Sequence, residues 1–77
     1  MVKLRNILRN DNAIKCDVFV EDSLSPVFLS VTENTSEFGV LPKGYEWCIS
    51  HINAAIRYLR SLLSVDSYPA EHNIYWG

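Results

Sequence analysis

The stretch YEWCISHINAAIRYLRSLL, residues 45–63, decides the fold. At 100° per residue, Tyr45, Cys48, Ile49, Ile52, Ala55, Ile56, Leu59, Leu62 and Leu63 gather on one broad face, and Glu46, Ser50, Asn53, Arg57, Arg60 and Ser61 lie opposite. This division predicts a single amphipathic helix over 45–63 whose apolar face is buried. Along its border run Trp47, His51, Ala54 and Tyr58, at i, i+4, i+7 and i+11, a ridge that either packs against the last strand, the favoured reading, or stays exposed to bind. Neither Lys43 nor Gly44 offers a side-chain acceptor to the first amides, so the helix starts without a good N-cap. Pro69, after a polar turn at 65–68, excludes continuation, and Arg60 stands where it can meet the last free carbonyls.

Upstream the period changes from 3.6 to 2. Ile14, Cys16, Val18 and Val20 alternate with Lys15, Asp17, Phe19 and Glu21, which predicts a half-buried strand over 13–21. After a loop ending at Pro26, Val27, Leu29 and Val31 alternate with Phe28, Ser30 and Thr32, and the two strands form a hairpin. Residues 2–9 alternate weakly and precede the turn cluster Asn10, Asp11 and Asn12, which favours a strand over a short helix. A short strand is expected over 37–41, weakened by Gly39, and another within 70–77, where Ile74, Tyr75 and Trp76 need cover. The order β-β-β-(β)-α-β is that of an α+β fold, a small antiparallel sheet of three to five strands with one long amphipathic helix on one face. One helix covers one face only, so Phe19 and Phe28 are expected on the open one, under a terminal segment, against a second subunit or as a binding patch.

At 77 residues the chain is expected to form one domain, 1–77, that buries about 60% of its unfolded surface. Its 48% apolar and 21% charged residues suit an ordinary globule rather than a disordered chain. A 20-residue apolar run is missing, and Lys3, Arg5 and Arg9 are not followed by the apolar stretch of a secretory signal, so a cytoplasmic protein off the membrane is expected. Cys16 and Cys48 fall on inward faces and outside any C-x-x-C pair, as two reduced, buried thiols would. Asn34, Thr35 and Ser36 fit a glycosylation sequon, but without secretion they read as a polar turn.

Chemistry is sparse. Cys48 and His51 stand i, i+3 on the helix, with His72 or Cys16 as conceivable third ligands, yet the paired spacing that anchors zinc is lacking. A nucleophile pairing Cys48 with His51 and Glu46 lies in no catalytic motif, and Gly39, Gly44 and Gly77 cannot build a phosphate-cradling loop. No catalytic residue, metal ligand or cofactor is therefore assigned, and the chain is expected not to be an enzyme.

The net charge of −2 is unevenly spread, with Lys3, Arg5, Arg9 and Lys15 early and Asp17, Glu21, Asp22, Glu33, Glu37 and Glu46 in the middle. A basic face to hold phosphates is missing, which disfavours nucleic acid. The expected function is therefore non-enzymatic protein binding, as by a small regulator, adaptor or inhibitor, phage proteins that act on host machinery included. Its working surfaces are expected at the ridge of Trp47, His51 and Tyr58 and at an acidic hairpin of Asp17, Glu21, Asp22 and Glu33. The alternative is a single-stranded nucleic-acid module that stacks bases on Phe19 and Phe28 beside Lys15. A homodimer through the open face or a strand edge fits either.

Overall fold

A computed structural model describes residues 1–75. It contains β1 (Val2–Asn10), β2 (Ala13–Val20), β3 (Val27–Thr32), β4 (Ser36–Phe38), α1 (Ile49–Ser61) and β5 (His72–Ile74). The strands make one five-stranded sheet in the order β4-β3-β2-β1-β5, antiparallel at every pairing. One helix lies on it, and the architecture is α+β with the expected element order. No helix among the described residues is long and apolar enough to cross a membrane.

The alternation in β2 and β3 does what period 2 requires. Ile14, Cys16, Val18 and Val20 and, beside them, Val27, Leu29 and Val31 are buried beneath α1 and its flanking caps, which supply Cys48, Ile52, Ala55, Ile56, Leu59 and Leu62. β1 departs from strict alternation. Val2 and Leu4 point inward, the register then shifts between Arg5 and Leu8, and Ile7 takes the next buried place. Asn6, at φ 58°, makes the bulge possible, because asparagine tolerates the left-handed region and its amide donates to Asp17 at 2.9 Å. Leu8 is thereby turned onto the open face and Arg9 onto the helix side, opposite Ile14.

Several expectations need correction. The helix is shorter than 45–63, because residues 45–48 form turns in which Cys48 N–H donates to the Tyr45 carbonyl at 2.9 Å. Cys48 is its N-cap and makes no side-chain cap, in keeping with the missing capping residue. Ile49 is exposed rather than buried, since it sits on the solvent flank of the apolar arc. Arg60 does not meet the helix C-terminus; it reaches across to the Thr32 and Thr35 carbonyls at 3.1 Å each and holds the β3–β4 turn. Arg9 does that work instead, donating to the Leu62 and Val65 carbonyls at 2.7 and 2.6 Å, with Tyr68 beneath its guanidinium. The terminal strand exists, as β5. Ile74 packs on the core, Tyr75 is exposed, and the expectation for Trp76 lies outside the described residues.

Candidate protein-binding surface on the helix flank

The expected ridge is divided by the structure into one exposed residue and two committed ones. His51 is 3% exposed, and its Nε2 hydrogen-bonds Oε2 of Glu21 at the end of β2. A carboxylate only accepts, so Nε2 carries the proton. The same oxygen receives the Met1 amine at 2.7 Å. These two donors, the amine first and His51 second, hold the Glu21 carboxyl below its ordinary pKa against a smaller opposing effect of desolvation. Glu21 itself adopts φ 50°, a costly conformation for a glutamate, and its N–H donation to the Met1 carbonyl at 2.9 Å helps fix it there. His51 and Glu21 thus join helix to sheet and are not an open surface.

Tyr58 is also committed. Its ring stacks on His72 of β5 at 4.0 Å between centroids and 7° between planes, and burial raises its hydroxyl pKa.

Trp47 is different. It is 63% exposed, yet held at two points: Nε1 donates to the Gly44 carbonyl at 3.1 Å, and the indole meets the His51 ring edge-on at 5.5 Å. Gly44 makes the first contact possible, since its φ of 90° is a conformation that L side chains rarely adopt. Further along the same flank, Ser50, Ala54 and Arg57 face Ile74 and Tyr75 across a shallow groove of about 370 Å³. Tyr75 is 69% exposed. Small helix residues keep the groove open, an aromatic stands on its strand side, and Arg57 supplies a cation. Sequence reasoning missed Ser50, Arg57 and Tyr75 as a set, because only the placement of β5 beside α1 brings them together.

The acidic hairpin is not one surface. Asp17 is mid-sheet on the open face and accepts from Asn6, Glu21 is consumed as described, and Asp22 accepts from the Tyr45 hydroxyl at 2.6 Å, which raises the Tyr45 pKa. Glu33 lies beyond the opposite end of β3, about 20 Å away by strand rise, where it lines a polar hollow with Asp11 and Asn34. Four carboxylates close in sequence are thus dispersed along the length of the β2–β3 hairpin.

The open face carries Phe28, 53% exposed, diagonal to a half-buried Phe19. Lys15 stands there too, but so do Lys3, Arg5, Asp17 and Glu37, and Glu71 lies 3.8 Å from Arg5. Cations and anions alternate without a basic track. Cys16 and Cys48 are free and buried, and burial, aided by neighbouring Asp17, pushes the Cys16 thiol up to about 12. Among the described residues no group of three His, Cys, Asp or Glu side chains is placed to hold a metal ion. No family model, curated protein or solved structure matches this chain.

Proposed function

We propose that the protein is a non-enzymatic binding module that engages another protein through the flank of α1 beside β5, with Trp47 as anchor and Tyr75 and Arg57 as its companions. The observation that carries this reading is the state of Trp47, large, exposed and already ordered by Gly44 and His51. A pre-ordered tryptophan brings contact area at little further entropic cost, and aromatic residues with arginine dominate binding hot spots. Regulation, adaptation and inhibition are all compatible with such a module.

The test is quantitative capture from a lysate of the source cells, with wild-type protein and with Trp47→Ala and Tyr75→Ala. Both substitutions are expected to leave the fold intact, as thermal unfolding checks, and Trp47→Ala to deplete the captured partner at least tenfold. An undiminished partner on folded Trp47→Ala would remove the reading.

Nucleic-acid binding through Phe19, Phe28 and Lys15 has weaker support. The exposed Phe28 favours it, and the matched charges around it do not.

A further inference from the structure

We infer that the free edge of β4 accepts an extended segment of another protein, one that alternates apolar residues toward the helix side with a basic residue opposite Glu37. The inference concerns a different surface from the Trp47 flank and stands or falls without it.

Hydrogen bonding between β3 and β4 settles which groups are available. Thr32 N–H donates to the Thr35 carbonyl at 2.9 Å, and Gly39 N–H to the Phe28 carbonyl at 3.0 Å, on either side of the Ser30 and Glu37 pair. Antiparallel ladders alternate, so residues 35, 37 and 39 face β3 while Ser36 and Phe38 turn their N–H and C=O groups away from the sheet. No described residue pairs with those outward groups. The other edge strand of the sheet is β5. It pairs with the first half of β1, and beyond it the Ala70 carbonyl and the Tyr68 hydroxyl accept from Ile7 and Arg9 N–H at 2.8 and 2.9 Å. β5 in turn presents its own outer edge, so the sheet ends in two short edge strands, and the side chains beside β4 are what single it out.

Side chains at the bare edge specify the occupant. Phe38 pairs with Leu29 and so lies on the helix side, and Val40, two residues on, is 92% exposed. Ile49, also exposed, shares its helical angle with Arg60, which reaches the β3–β4 turn, and so belongs to the flank of α1 on that side. An added strand would therefore find exposed apolar side chains on its helix side. On the other face it would meet Glu37, paired with Ser30.

A second copy of this chain is the poorer fit. Antiparallel pairing of β4 with itself about its middle residue sets Glu37 against Glu37, and like charges directly opposite destabilise a ladder. A strand with lysine or arginine at that place gains what the second copy loses.

The probe is a synthetic peptide, acetyl-Thr-Val-Lys-Val-Thr-amide, titrated into ¹⁵N-labelled protein, beside the same peptide with Glu for Lys and a version methylated on its backbone nitrogens. The lysine peptide is expected to shift the amides of residues 36–40 saturably, to bind at least fivefold more tightly than the glutamate peptide, and to lose binding on methylation. Glu37→Lys is expected to reverse the preference. Absence of shifts at millimolar peptide, shifts confined to the Trp47 flank or the open face, or equal affinity for both peptides would overturn the inference.

Discussion

At the residue scale, one carboxylate ties three distant parts of the chain together. Glu21 accepts from the Met1 amine, which begins β1, and from His51, which is thirty residues away on α1. Its pKa is lowered on folding, from an ordinary value of 4.5. The stabilisation from such a group is fully present above the unfolded-state pKa and is lost as pH falls through the folded-state one. Glu21→Gln is therefore expected to be less stable than wild type near neutrality, with the two converging on acidification below about pH 4, as urea unfolding across pH reports. Parallel curves for the two proteins would show that Glu21 carries no such linkage. Asn6 offers a second test. At φ 58° it sits where a β-branched residue is strongly disfavoured, so Asn6→Val is expected to cost about 1–2 kcal/mol and Asn6→Gly much less, measured by the same unfolding.

At the scale of elements, α1 and the central strands share one core, and Leu59 lies fully within it. Leu59→Ala is expected to cost about 3 kcal/mol and to lower Tm by more than about 10 °C in calorimetry. This layer was the part legible in the sequence. Apolar residues at every second position of β2 and β3 and leucines and isoleucines at helical spacing in α1 are local signals, strong enough to set both the elements and their facing sides. What escaped depends on pairs that meet only after folding. The bulge at Asn6 changes the parity of β1 by a single backbone angle, and nothing in the alternation marks it. Arg9 rather than Arg60 reaches the end of α1 because the segment after the helix returns along β1 and brings Tyr68 beneath it. The division of the ridge follows from Glu21 and His72, neither of them near it in sequence.

At the scale of the whole molecule, the question is which outer surface is left for work. Arg9 and Arg60 are tied to backbone carbonyls, and Lys3, Arg5 and Lys15 share the open face with Asp17, Glu37 and Glu71. An oligodeoxythymidine titration at low salt is therefore expected to show no saturable binding, by fluorescence anisotropy. Saturable, salt-dependent binding would move the working surface to Phe28 and Phe19. The central claim is that Trp47 is the anchor of a protein interface. The most direct measurement compares, in one quantitative capture, the partner retained by wild type, by Trp47→Ala and by Phe28→Ala, each shown to be folded. The account requires a loss of at least tenfold with Trp47→Ala and retention with Phe28→Ala; full retention with Trp47→Ala, or loss only with Phe28→Ala, would contradict it.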